Sequence, residues 1–395
     1  MLSADAPGRA EPPHQPEPDG PEATRRRYRH HAERMVTASP TSARWATSIA
    51  EDDAAVDLLI RVAPTKRQPE LLFAVARRLG ADPTDREALL RLVRDAPDRL
   101  LAELAVSTTQ TNDPRRMAPV VPVLAGIPGP LALLEVGVSA GLCIVPDHAT
   151  VDVDRLDDTV RVAEAAREPE IPLRFQMRPG PAAPSDGRRG AGRSRASRPS
   201  TDDAGSRADG TGPRRPSRLD VVARFGLDPA PIDLRSPGAF DRLVESVPVE
   251  ATDRVALMRR AADAVRADPY TAVRGTAPDD LDRAIDLLPR GATPVVLTLG
   301  TLVYLPGSDR QRVVERLRDR GVRWVAMERT GSLHDVAATL PPVGELAERG
   351  IDLAAPSAFA TVSLDGVALA LADAHGTTVT PLGADPSWTL GTPTA

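Results

Sequence analysis

This sequence predicts an α/β fold: a mostly parallel Rossmann-type sheet preceded by an N-terminal helical subdomain. Three observations carry the expectation. Short apolar runs alternate with helical stretches from about residue 126 onward, one of those runs ends in a turn of small residues, and the first hundred residues repeat apolar positions at intervals of three and four.

Taken in order, residues 1–20 are rich in Pro, Glu and Gly without periodic apolar spacing, and read as a disordered tail. Residues 21–125 form the helical subdomain. There Leu58, Leu59 and Val62, then Leu71, Leu72, Val75 and Leu79, then Leu89, Leu90 and Val93, each mark one helix face. Residues 126–390 hold the sheet, with strands expected at Leu131–Val136, Val221–Leu227, Pro294–Leu299 and Val322–Met327. Inside that domain, residues 179–218 contain no Leu, Ile, Val, Phe, Tyr or Trp, so burial cannot offset the entropy of ordering; this insert reads as a disordered, solvated spacer. A helix is expected at 308–320, opened by a capping box of Ser308 and Gln311 and closed by Gly321. The alternation of ATVSLDGVALALAD around Asp365-Gly366, a pair favoured in type I′ turns, predicts an antiparallel hairpin at the edge of the sheet.

Composition narrows the partners. Of the 395 residues 41% are hydrophobic, enough for a core, but only 3% are aromatic, which leaves no stacking platform for bases. The formal charge of −5 gives no net positive field for a polyanion, so a small-molecule ligand is expected and nucleic acid is not. Cys143, the single cysteine, cannot form an intrachain disulfide, and no apolar run approaches the ~20 residues that span a bilayer. A cytoplasmic protein without a membrane partner is expected. No zinc pattern occurs, and His30 and His31 are read as solvated residues on a polar helix face.

The stretch that carries chemistry is LALLEVGVSAGL, residues 131–142, an apolar strand ending in Glu135 and followed by Gly137, Ser139 and Gly141. Small residues are needed where backbone approaches a ligand closely, and a helix expected after the turn would aim free N–H groups at it. The spacing departs from the dinucleotide pattern G-x-G-x-x-G, which disfavours NAD. The same five residues, Gly137 to Gly141, also match the G-x-S-x-G elbow of serine hydrolases, with Asp373 and His375 following in the required order. No oxyanion segment precedes Ser139, and Glu135 has no role in that mechanism.

An acid, then glycine, a small residue and glycine at a strand end resembles the first motif of S-adenosylmethionine-dependent methyltransferases. More widely, KRQPELLFAV (66–75), TTQTNDPRR (108–116), LLEVGVSAGL (133–142), RFGLDPAPIDL (224–234), VRWVAMER (322–329) and LADAHG (371–376) together resemble an uncharacterised bacterial family, domain-of-unknown-function family 2332. The resemblance implies a class I S-adenosylmethionine methyltransferase-like Rossmann sheet. It implies that Glu135, Gly137, Ser139 and Gly141 line an S-adenosylmethionine site, and that Asp228 binds ribose hydroxyls. A turn before Pro229 is the ordinary alternative for Asp228. Gln110, Asn112 and Arg115 of the signature segment are candidates for the substrate side. Catalytic residues stay unassigned, since methyl transfer needs mainly alignment of nucleophile and sulfonium. A non-catalytic descendant that binds a ligand or a protein is the remaining alternative. The family pattern is not matched at Cys143, at Asp147-His148 or at Gly275-Thr276. If the glycines serve the ligand, Gly137→Val abolishes binding without unfolding the chain.

Overall fold

The computed structural model describes residues 20–108, 112–178, 216–348, 350–353 and 359–383. Most of the expected tail, Gln110 and most of the 179–218 insert lie outside the described residues. Contacts divide the chain into two units, Met1–Thr111 with Asp241–Val255, and Asn112–Phe240 with Ala256–Ala395.

The first unit is helical: α1 (Pro21–Met35), α2 (Pro40–Glu51), α3 (Asp53–Leu59), α4 (Pro69–Arg78), α5 (Ala88–Asp95) and α6 (Pro97–Val106). Proline at the first turn of α1, α2, α4 and α6 suits a position whose N–H has no intrahelical partner. The apolar faces read from sequence meet in one core that holds Trp45, Ile49, Leu59, Leu72, Leu89, Leu100 and Leu104. Phe73 is the centre of its aromatic contacts, with Tyr28 and Trp45 rings edge-on at 6.3 and 5.6 Å. The returning segment 241–255 is tied in by Arg77, whose Nη1 donates to the Glu245 and Val247 carbonyls at 2.8 Å, and by Glu250, which accepts from Ser39 Oγ at 2.6 Å. His31 corrects the sequence reading: its side chain is buried against Phe73, because it falls on the inner face of α1 while His30 stays exposed.

The second unit holds α7 (Met117–Ala125), then β1 (Leu131–Val136), β2 (Ala149–Asp154), β3 (Thr159–Ala163), β4 (Ile171–Met177) and β5 (Val221–Asp228). After α8 (Ala239–Val244), which belongs to the first unit from Asp241 on, and α9 (Thr252–Ala267), which belongs to the second from Ala256 on, come β6 (Thr271–Arg274), α10 (Leu281–Ile285), β7 (Thr293–Leu299), α11 (Gly307–Asp319) and β8 (Arg323–Arg329). The short α12 (His334–Ala337) and α13 (Val343–Glu348) precede β9 (Phe359–Leu364), β10 (Val367–Asp373) and β11 (Thr378–Pro381). One sheet runs β3-β2-β4-β11-β10-β9-β8-β7-β1-β5-β6. Strands β6, β5, β1, β7 and β8 are mutually parallel, and β1 lies between β5 and β7, where the order of the chain reverses. Alternate residues of β1 serve two faces: Leu134 and Val136 join the core formed with α10 and α11, and Glu135 points to the opposite side.

Three expectations change. The hairpin turn forms with Asp365 and Gly366 at φ 51° and 87°, but it is interior: β9 pairs antiparallel with β8, and β10, β11 and the β4-β2-β3 strands extend the sheet beyond it. Those three strands, absent from the sequence reading, occupy part of the stretch between Glu135 and Asp228. The capping box is not made: α11 starts at Gly307, so Ser308 already lies inside the first turn and its Oγ faces Asp309, while Gln311 bonds Glu315. Of the 179–218 segment, Ser217 is bridged to Ala163, its N–H donating to Val162 O at 3.1 Å. Among the described residues no helix is long and apolar enough to cross a membrane.

Candidate functional site

β1 delivers Glu135 and the turn after it to the carboxyl end of the sheet, beside the ends of β5 and β7. The turn is a strained, fully internal loop. Gly137, Ser139 and Gly141 all have positive φ (77°, 52° and 80°), and Ser139 pays the strain of a non-glycine residue in that region. No helix follows: the chain continues through a short 3₁₀ turn, Pro146–His148, into β2. The expected helix N-terminus is therefore absent, and the loop N–H groups find partners within the protein. Gly137 donates to Leu227 O at 2.7 Å, Ser139 to Asp228 Oδ2 at 2.9 Å, Gly141 to Val138 O at 2.7 Å and Leu142 to Asn112 Oδ1 at 2.5 Å.

These bonds define the roles of the sequence candidates. Asp228 straps the loop to β5, its second oxygen accepting from Ala230 N at 2.8 Å in the turn through Pro229. Asn112 clamps the loop from the other side, its Nδ2 donating to Val138 O at 3.3 Å. Arg115 is held by Asp113 through Nε at 3.0 Å and Nη2 at 2.6 Å. The two glycines make room for this chain's own side chains: a Cβ on Gly137 would collide with Thr301, and one on Gly141 would lie 2.5 Å from the Tyr270 ring. Tyr270 in turn donates to Ser139 O at 3.1 Å.

Two side-chain atoms of the loop remain without a hydrogen-bond partner among the described residues, Glu135 Oε2 and Ser139 Oγ, both buried. Burial pushes the Glu135 carboxyl well above the usual range, Arg116 opposing and Asp228 adding to the shift. Burial likewise raises the Tyr270 hydroxyl, with Glu135 and Asp228 contributing.

The sequence reading missed the second acid and its cation. Glu328, at the end of β8, accepts from the N–H groups of Thr301 at 3.0 Å and Leu302 at 3.2 Å. Burial raises its pKa to about 7 in spite of those bonds and of Arg116. Arg116, rather than its neighbour Arg115, is the guanidinium felt by both buried acids; its Nη1 donates to Leu299 O at 2.7 Å. Its place in TTQTNDPRR was visible, but nothing local distinguishes it from Arg115. A third group lies on the same side of the sheet: His375 Nδ1 is 3.1 Å from Asp113 Oδ2, off the axis of a straight hydrogen bond, and part of the ring is exposed.

The remaining candidates are structural in these surroundings. Cys143 is buried, its thiol pushed well up by desolvation and donating to Asp113 O at 3.2 Å. Asp147 accepts from buried Arg224 at 2.6 and 2.5 Å, and His148 bridges Asp268 and Pro169 O. Ser139 has the positive φ of a hydrolase elbow without the helix that follows one, and its hydroxyl meets no histidine among the described residues: His148 is bonded to Asp268 and Pro169 O, and His375 Nδ1 lies 3.1 Å from Asp113.

Compared with known proteins, residues 25–380 match the family model described as "Uncharacterized protein conserved in bacteria (DUF2332)". No curated protein and no solved structure matches the chain.

Proposed function

The chain belongs to this bacterial family, and from the end of β1 we propose that it binds an adenosyl cofactor of the S-adenosylmethionine class, as a methyltransferase-like protein of unassigned acceptor. The observation that carries the reading is the pair of orphaned buried atoms, Glu135 Oε2 near the end of β1 and Ser139 Oγ on the turn after it, at the point where the strand order reverses. Leaving a buried polar group unpaired costs about 1–3 kcal/mol, and a ligand that supplies both partners recovers it. Glu135 suits a cationic ligand group in particular. Burial raises its pKa by disfavouring the charged form, and a positive charge arriving beside it favours the ionised form.

When bound, such a cofactor supplies an electrophilic methyl group. The residues of this chain that would hold it are Glu135, which suits a cationic group, Ser139, which would offer one hydroxyl, and Asp228, which retains unused lone pairs on oxygens that already accept Ser139 N and Ala230 N. Asn112 and Arg115 frame the loop and Asp113, and Gln110 belongs to the same signature segment. Loss of the expected helix N-terminus removes the feature that binds pyrophosphate, which favours an adenosyl compound over a dinucleotide.

Calorimetry on the full chain tests the proposal, with S-adenosylmethionine, S-adenosylhomocysteine and NAD as titrants. The expected result is binding of the first two and not the third, proton release on S-adenosylmethionine binding, and at least about tenfold weaker binding in Glu135→Gln. Absence of binding, or unchanged affinity in a folded Glu135→Gln protein, overturns it. Binding without transfer to any acceptor supports the cofactor site and points to the non-catalytic alternative for turnover.

A further inference from the structure

The helical unit contains a cavity of about 640 Å³ between α1 and the start of α4, and nothing in the preceding site uses it. Its wall carries four guanidinium groups, Arg26, Arg27, Arg29 and Arg34, against two carboxylates, Glu33 and Glu70. Among the described residues neither Arg27 nor Arg34 forms an ion pair. They stand two turns apart, roughly 10 Å along α1, so one ligand can meet both. The ten-residue helix α4 presents its first turn to the same space. The positive end of its dipole therefore adds to the arginines.

A second, independent observation lies among the lining residues. His31 has a side chain only 6% exposed, its Nδ1 3.4 Å from Glu70 Oε1 and its Nε2 buried without a hydrogen-bond partner. Burial raises the Glu70 carboxyl, but the bond and charge of His31, with its own N–H and Arg34, more than offset this and hold it below the usual range. Glu70 thus stays ionised, and with Arg29 paired to Glu22, Arg27 and Arg34 are the lining cations that form no ion pair among the described residues. A cavity of this volume is of small-molecule size.

We propose that this cavity binds a small ligand carrying two or more phosphate-type negative charges, met by Arg27 and Arg34. The planar guanidinium fork matches such oxygens. The site is separate from the adenosyl site proposed above and does not depend on it.

Pyrophosphate is the probe, titrated into the full chain by calorimetry at low and at physiological ionic strength. The expected result is binding that weakens with salt, and weakens at least about tenfold in Arg27→Gln/Arg34→Gln. These side chains lie outside the core, so the variant keeps its fold, checked by unchanged circular dichroism. A control, Arg312→Gln/Arg318→Gln on exposed α11, is expected to bind as the parent does. No heat with pyrophosphate at low salt, equal affinity in the α1 variant, or equal loss in the control overturns the proposal.

Discussion

Gly137→Ala separates the two explanations of the small residues after β1, and its effect can be worked from the structure. Gly137 sits at φ 77°, where an L side chain costs about 1–2 kcal/mol. A Cβ there would overlap the Thr301 methyl and hydroxyl and lie 2.9 Å from Thr301 Cβ. Both residues are in the sheet unit, where relieving such overlap costs about 1–3 kcal/mol. The expected loss is therefore about 2–5 kcal/mol, in stability and not only in ligand binding. The companion substitution Thr301→Gly empties the space, so the double variant keeps only the backbone strain, and the cycle gives a coupling of about 1–3 kcal/mol. Urea unfolding of the full chain measures this, with hydrogen exchange in residues 131–136 reporting on the sheet unit. A cost below about 1 kcal/mol for Gly137→Ala, or no relief from Thr301→Gly, refutes the reasoning and returns the glycine to the role of admitting a ligand. The expectation that Gly137→Val would leave the fold intact is corrected on the same ground.

Three further outcomes follow from the site. Glu328 has a folded pKa of about 7 against 4.5 for the ordinary group, so the unfolded chain releases this proton first as pH rises. Its contribution to stability then falls by up to roughly 3 kcal/mol between about pH 4.5 and 7 and is flat above; urea midpoints at pH 5, 6, 7 and 8 should show that slope relative to Glu328→Gln, and parallel curves would disprove it. Asn112→Ala leaves Leu142 N–H unpaired, while Val138 O keeps its bond from Gly141 N, for an expected loss of about 1–3 kcal/mol and faster amide exchange at Leu142; unaltered exchange would show that the clamp is idle. Gly226→Ala brings a Cβ to 2.5 Å from Val138 Cγ1 without any strain in φ, so about 1–3 kcal/mol is expected, relieved by Val138→Ala; a lone effect with no relief would place the cost elsewhere.

What the sequence disclosed follows burial. β1 was read to the residue, and β7 and β8 to within two, because a strand covered on both faces becomes a nearly unbroken apolar run; β5, read to within one, shows the same signal at its ends although Val222 is exposed. Strands β2, β3 and β4 have exposed or half-exposed alternate residues, as in IPLRFQM with its pattern of buried Ile171, Leu173 and Phe175. Their signal was a period of two, present in the text but weaker than the neighbouring apolar runs.

The site divides along the same line. Glu135, Gly137, Ser139 and Gly141 are contiguous, so one strand and one turn bring them together whatever the rest of the chain does. That Glu135 and Glu328 both feel Arg116 depends on sheet register instead, on Leu299 lying beside Met327 and on Arg116 reaching the end of β7, and no local spacing encodes it. The glycines mislead for a related reason. A sequence shows that bulk is excluded beside Gly137 and Gly141, but not by what, and here Thr301 and Tyr270 do the excluding. Fold and strain can thus be accounted for without a ligand, whereas the unpaired Glu135 and Ser139 atoms cannot. Those two side chains therefore carry the proposed binding, and a neutral glutamine at position 135 tests it more directly than any change to the glycines.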